Sequence, residues 1–294
     1  MTVAFITKHR GEFGVESMCK QLPIAPSTYF EHQTRARDPQ RLSVRAQRDA
    51  VLLEKIRRAR VDSKERYGVR KVWRELKRAG VQVARYTVER LMRQLGIRGV
   101  GRGGHKVFTT IPDELPERPV GLVNRDFSAS RPNALWVSDV TFAKTMGGFT
   151  YVAFVIDAFS KRIVGWRVTR SLKTSLVLDA LEQALEARNH AERLVFHSDR
   201  SSQFLSIRYT QRLAEAGVAA SVGSRGDAYD NALAEAINGL YKAEAVLHRG
   251  PWAHPLDVEI ATQDWVHWFD HLRLYEAVDV IVQIWSGSRL TQAN

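Results

Sequence analysis

The sequence predicts an α/β fold: a mixed five-stranded sheet with helices on both faces, preceded by an all-α region carrying a helix-turn-helix. Three observations predict it. Apolar residues recur at helical spacing through roughly the first hundred positions, whereas short apolar and alternating runs interleave with helical patterns after residue 134. A stretch rich in Gly and Pro separates the two. Charge divides at nearly the same place: residues 1–125 hold 27 Lys/Arg against 13 Asp/Glu, and residues 126–294 hold 17 against 19, so the net +12 is carried entirely by the first part.

Composition sets the outer bounds. A chain of 294 residues suggests two or three domains, and 44% apolar residues suffice for a real core. No apolar run approaches the 18 or more residues of a membrane span, and no basic-then-apolar leader opens the chain. The single cysteine, Cys19, excludes a disulfide framework and any Cys-x-x-Cys zinc site. A cytoplasmic, nucleic-acid-facing protein is expected, because clustered basic charge supplies sequence-independent attraction to phosphate backbones.

The elements follow in order. Residues 11–30 form a short helix pair, with Val15, Met18, Cys19 and Leu22 at helical spacing, a break at Pro23 and a new start at Pro26. Leu42, Ala46, Leu53 and Ile56 mark one face of a helix near 41–60. Between Tyr67 and Gly96, a stripe of Val69, Val72, Trp73 and Leu76 stops at Ala79-Gly80. A second helix starting at Tyr86-Thr87 carries Val88, Leu91 and Met92, which makes a helix-turn-helix. Its polar surfaces carry the candidate DNA contacts Lys71, Arg74, Lys77, Arg78, Arg85, Arg90 and Arg93. Gly99, Gly101, Gly103, Gly104, Pro112, Pro116, Pro119 and Pro132 then mark a linker.

After the linker come strands at Leu135–Phe142, Phe149–Ile156 and Arg162–Val168, a helix at 176–187, and a strand at Leu194–His197. A helix at 207–216, a strand at Val218–Val222 and a helix at 231–246 complete a ribonuclease-H-like arrangement, and 256–275 adds a final aromatic-rich helix. Domain limits are expected at 1–60 (helical region), 61–98 (helix-turn-helix), 99–133 (linker), 134–250 (catalytic-type core) and 251–294 (helix and tail).

Three acids stand in contexts that suit a nuclease-like metal site: Asp139 within the first strand, Asp199 at the end of the fourth, and Glu235 on the helix after the fifth. Strand ends near the centre of an α/β sheet are where such folds place chemistry. Mg²⁺ is typically held by a few carboxylates plus water and substrate phosphates. On the helix, Leu233, Ile237 and Leu240 are expected to face the core. Glu235 lies about 200° from Leu233, and Lys242 returns to within about 20° of Glu235. Asn231, one turn earlier, completes a polar face suited to a metal and a nearby phosphate, although a merely solvated face gives the same pattern. Without cations the carboxylates repel, each pair by on the order of 4 kcal/mol at 4 Å and an effective dielectric of 20. Asp157, Asp227 and Asp230 remain competing acids, Asp230 more naturally as a helix cap. His197-Ser198-Asp199 is no hydrolytic relay, because alternation along a strand points Ser198 away from its neighbours.

At these residues the chain resembles the integrase-core transposases of bacterial insertion sequences, specifically the second-reading-frame (B) subunit of the insertion-sequence-three family. The resemblance rests on Trp136-Val-Ser-Asp139-Val-Thr, Tyr151 through Asp157 to Gly165-Trp166, His197-Ser-Asp199-Arg, Gly226-Asp-Ala-Tyr-Asp-Asn231-Ala-Leu-Ala-Glu235, and a helix-turn-helix opening at Arg66-Tyr67-Gly68. It covers roughly residues 10–278.

The resemblance implies a DDE transposase in which Asp139, Asp199 and Glu235 hold two Mg²⁺ (or Mn²⁺) ions. Water would attack at an element end, and the freed 3′ hydroxyl would then attack target DNA with no covalent enzyme intermediate. It also implies that Lys242 sits against the DNA end. Further expectations are double-stranded DNA as partner (element ends and target), a homo-oligomer on that DNA, an upstream reading-frame subunit, and a bacterial cytoplasm with nucleoid association. Two departures stand out. Ser201 occupies a position where the family usually has Gly, which is expected to strain the turn beside Asp199. The tail after Asp279 differs from the usual ending, which leaves a catalytically impaired DNA-binding remnant as the alternative.

Overall fold

The computed structural model describes residues 2–101, 129–188, 193–223 and 231–274. The chain divides into two compact units, Met1–Gly99 and Val100–Asn294.

The first unit is all-helical. Helices α1 (Thr2–Phe13), α2 (Val15–Gln21) and α3 (Pro26–Arg37) close over a small core of Ile6, Met18, Cys19 and Tyr29. The helix before Gly14 was not anticipated, while α2 and α3 are the expected pair. Helix α4 (Val44–Asp62) is capped by Ser43, whose Oγ accepts the Ala46 amide at 3.3 Å. It buries Leu52, Ile56 and Ala59, one position round from the expected face, leaving Leu42, Ala46 and Leu53 half-buried. Its partners decide this face: α4 packs on both α5 (Val69–Arg78) and α6 (Arg85–Gln94), so the expected boundary at residue 60 falls inside a helix. The α5–α6 pair buries Val72, Leu76, Val88, Leu91 and Met92 as its pattern indicated. The turn between them has Gly80 at φ +76°, and the Trp73 indole donates to the Val83 carbonyl at 2.8 Å.

The second unit is built on a five-stranded sheet in the order β3-β2-β1-β4-β5. Strands β1 (Leu135–Thr145), β2 (Gly148–Asp157) and β3 (Ile163–Thr169) form an antiparallel meander. Strands β4 (Val195–Ser198) and β5 (Ala219–Val222) add on in parallel beside β1. Side chains alternate between the faces. One face carries Trp136, Ala153, Val155, Val164 and Phe196 against α7 (Thr174–Arg188) and α8 (Ile207–Glu215). Gly165 lets α7 approach: a Cβ there would lie 2.1 Å from the Ala180 carbonyl oxygen. The opposite face carries Asp139, and its neighbour Phe154 packs edge-on to Tyr241 at 5.1 Å and against Trp265 at 5.8 Å. Those two residues come from α9 (Ala232–Tyr241) and from the last helix, Pro255–His271.

The expected single helix 231–246 is interrupted. After α9 the backbone widens into a π turn over Lys242–Val246 and ends in the short α10 (Leu247–Arg249); Pro255–His271 is α11. The π turn buries Glu244, which accepts the Trp265 indole N–H at 3.2 Å and the Arg273 guanidinium at 2.9 Å. A wider turn changes which residues face inward, which is how a glutamate reaches this buried pair. The expected linker glycines 103 and 104, prolines 112, 116 and 119, acids Asp227 and Asp230, and the tail after Asp279 lie outside the described residues.

Candidate active site

The parallel pairing of β1 with β4 places the two aspartates together. Ser138 pairs with Ser198 at the end of the ladder, and Asp139 and Asp199 each follow by one residue, which brings their carboxylates near enough to act on one another. Both are half-buried. Asp139 Oδ1 accepts the Val140 amide at 2.8 Å, and Oδ2 accepts Asn238 Nδ2 at 2.9 Å. Asp199 Oδ1 accepts both the amide and the hydroxyl of Ser201, at 3.1 and 2.8 Å.

Helix α9 lies over Asp139 through three residues of one face. Asn231, at its N-cap, donates Nδ2 to the Ser138 carbonyl at 3.1 Å, while Asn238 reaches the carboxylate itself. Glu235 lies between them in sequence, on the same face at i, i+4 and i+7. The buried stripe is Ala234, Ile237, Asn238 and Tyr241; Leu233 and Leu240, expected inside, are only half-buried. Asn238 accounts for the difference. Asp139 supplies a partner for its amide, and a hydrogen-bonded amide can be buried where an unpaired one cannot. Sequence reasoning missed Asn238, although its spacing of three from Glu235 and four from Lys242 was a usable signal.

Burial pushes the Asp139 carboxyl up to about 7, and the Asp199 and Glu235 carboxylates push the same way against the hydrogen bonds from Val140 and Asn238. Burial also raises Asp199, opposed by the two bonds from Ser201. Lys242 is half-buried, with Nζ 4.6 Å from the centre of the Phe142 ring; burial lowers its pKa, while Asp139 pulls the other way. Glu235 itself is exposed. Among the described residues, no three His, Cys, Asp or Glu side chains stand close enough to hold an ion as they are. The two aspartates stand together, and Glu235 acts on Asp139 from the helix.

The remaining expectations sort clearly. Asn231, assigned to a DNA-facing surface, is 6% exposed and docks the helix on β1. Asp157 is fully buried and its oxygens accept the amides of Asn133, Phe159 and Ser160, so it builds a turn. His197 is buried and bonded to Ser221 Oγ at 2.9 Å, while the Ser198 hydroxyl donates to the Asp199 carbonyl; no relay exists. Ser201 is not strained, since its φ is not among the positive values, and its side chain joins the site.

In the helix-turn-helix, Arg90 turns inward and makes two bonds to Asp49, at 2.8 and 2.7 Å, while Arg93 pairs with Glu89 at 3.1 Å. Lys77, Arg78 and Arg85 are exposed, and Lys71 and Arg74 are half-buried. Lys71 and Lys77 also lie over the Tyr67 and Trp73 rings, at 5.1 and 5.0 Å.

Comparison with known proteins adds an independent line. Residues 129–228 match the family model described as the integrase core domain, and residues 46–105 match one described as an HTH-like domain. The chain is 52% identical over 271 residues to a transposase for insertion sequence element IS629 of Shigella sonnei, covering 92% of this chain and 90% of that protein. It is 32% identical over 249 residues to transposase InsF for insertion sequence IS3A of Escherichia coli (strain K12), covering 84% of each. Among solved structures, it is similar to the HTLV-2 integrase catalytic core domain in complex with magnesium, at 18% identity and a TM-score of 0.41, over 51% of this chain and 93% of that one.

Proposed function

This chain belongs to the integrase-core transposases of bacterial insertion sequences, the insertion-sequence-three family, and from that premise we propose that it cuts DNA at its element's ends and joins them to a target by direct phosphoryl transfer. The observation that carries this reading is Asp139: a half-buried carboxylate with Asp199 just past the end of the neighbouring strand and Glu235 on α9, both acting to raise its pKa. Carboxylates crowded into a partly desolvated place repel one another, and a divalent cation relieves that cost.

The residues fit such a cation. The carboxylates of Asp199 and Glu235 and the side-chain amide of Asn238 gather at Asp139, and oxygen donors of this kind suit hard ions. Asn231 Oδ1 and Asn238 Oδ1 are buried with no hydrogen-bond partner among the described residues. Buried acceptors of this kind cost about 1–3 kcal/mol each when left unmet, which marks the place as one built to take a further group. Asp139, Asp199 and Glu235 would hold Mg²⁺ or Mn²⁺, as a pair of ions. Bound ions of this class supply a clamp on the attacking and leaving oxygens.

The chain's own residues supply the rest. Asn238 and Val140 fix the Asp139 carboxylate, Ser201 fixes Asp199, and Lys242 brings a positive charge to the phosphate beside the site. Lys77, Arg78 and Arg85 present exposed charge for duplex DNA, and an oligomer and an upstream reading-frame subunit complete the assembly we propose. No helix among the described residues is long and apolar enough to cross a membrane.

The test uses oligonucleotides carrying an element end. With Mg²⁺ or Mn²⁺ the protein should join the 3′ end to target DNA, and Asp199→Ala should not. If the protein binds ends yet neither cuts nor joins with either ion, it is a DNA-binding remnant and the catalytic reading fails.

A further inference from the structure

The loop after β4 is organised around Ser201. Its carbonyl accepts the amides of Phe204 at 3.1 Å and Leu205 at 3.3 Å. Phe204 is 2% exposed and packs edge-on against the buried Tyr209 at 5.4 Å, so the loop is fastened to the α8 side of the core. The amide and hydroxyl of the same serine both donate to Asp199 Oδ1. A continuous chain of contacts therefore runs from the core to one oxygen of one carboxylate. Asp199 Oδ2 makes no hydrogen bond among the described residues.

We infer that Ser201 is a positioning residue: its hydroxyl locks the Asp199 carboxylate through Oδ1, leaving Oδ2 as the oxygen that takes a divalent cation. The inference rests on the reading of Asp199 as a metal ligand. Its physical content is preorganisation. A carboxylate already held in one rotamer gives up little freedom when it binds, and a donor to its ionised form favours that form. Partners of this kind around metal ligands typically change affinity by 10- to 100-fold when removed. Here the backbone amide remains after the hydroxyl is deleted, so the loss should be smaller, about three- to tenfold, the worth of a single hydrogen bond.

The experiment titrates Mn²⁺ into the full chain and measures affinity by electron paramagnetic resonance, with the metal-free melting temperature recorded for each variant. Ser201→Ala should weaken Mn²⁺ binding about three- to tenfold, and Ser201→Thr, which keeps the hydroxyl, should restore it. If Ser201→Ala melts well below the wild type without metal, Ser201→Gly and the threonine variant carry the test, the glycine expected to be weak and the threonine strong. Affinity in Ser201→Ala within twofold of wild type, or equal loss in alanine and threonine variants, would overturn the inference. Asp199→Asn separates the two levels. If it also leaves Mn²⁺ affinity unchanged, the ligand reading itself is wrong; if it weakens binding while Ser201→Ala does not, only the role of Ser201 is lost.

Discussion

The two aspartates and the glutamate of the candidate site are held in opposite ways. Asp139 lies in β1 and Asp199 just past the end of β4, its parallel neighbour; both are half-buried, and each is engaged by two donors. Glu235 stands exposed on a helix whose other polar residues, Asn231 and Asn238, carry the docking. The sheet thus fixes two of the proposed ligands in advance, and the helix carries the third at an exposed position. Such an arrangement suits a site where three carboxylates meet only when positive charge arrives between them.

The largest effect is expected from neutralising each acid in turn. Asp139→Asn, Asp199→Asn and Glu235→Gln should each reduce end joining by at least about a thousandfold, because residues acting as a unit do not share the loss. Residual joining by Glu235→Gln near wild-type level would show that the exposed glutamate is outside the site. Next in size is Asn238→Ala. It frees Asp139 Oδ2 and should reduce joining about 10- to 100-fold, with a rise in the Mn²⁺ concentration needed for half-maximal joining. An unchanged metal requirement would mean that Asn238 only packs.

The buried aspartates also set a pH dependence. Asp139 titrates at about 7 in the fold against 3.8 in an open chain. Between those values the folded state binds more protons than the unfolded one, so metal-free stability falls as pH rises through that window and levels off above it. Asp199 is shifted in the same direction and adds to the slope. In EDTA the melting temperature should drop by on the order of several degrees between about pH 5 and about pH 8. Asp139→Asn should flatten most of that drop, and a melting temperature that climbs with pH in wild type would refute the assigned cause.

The smallest effect is expected at Lys242. Replacing it with alanine should weaken DNA binding modestly and reduce the salt dependence of binding by about one phosphate contact. Arg90→Ala offers the contrast within the basic unit. It breaks the pair with Asp49, so it should lower the melting temperature more than it changes that salt dependence.

Much of this was legible in one dimension. Strand alternation and helix spacing set the five strands, the helix-turn-helix and the positions of Asp139 and Asp199, because those patterns are local and each residue's neighbours along the chain decide its face. The misjudged residues were those whose partners lie far away in sequence. Asn238 turned inward because Asp139, 99 residues earlier, accepts its amide. Asn231 was withdrawn from the surface by Ser138, and Arg90 by Asp49, 41 residues before it. The π turn, which reaches Glu244 towards Arg273, follows no local rule either.

Periodicity and composition are properties of the chain alone, so the sequence sufficed for most of the elements, the charge division and the choice of three candidate acids. Only the tertiary structure decided which polar side chains are buried and what holds them there. A buried amide or carboxylate is stable only where a partner meets it, and that partner is supplied by folding.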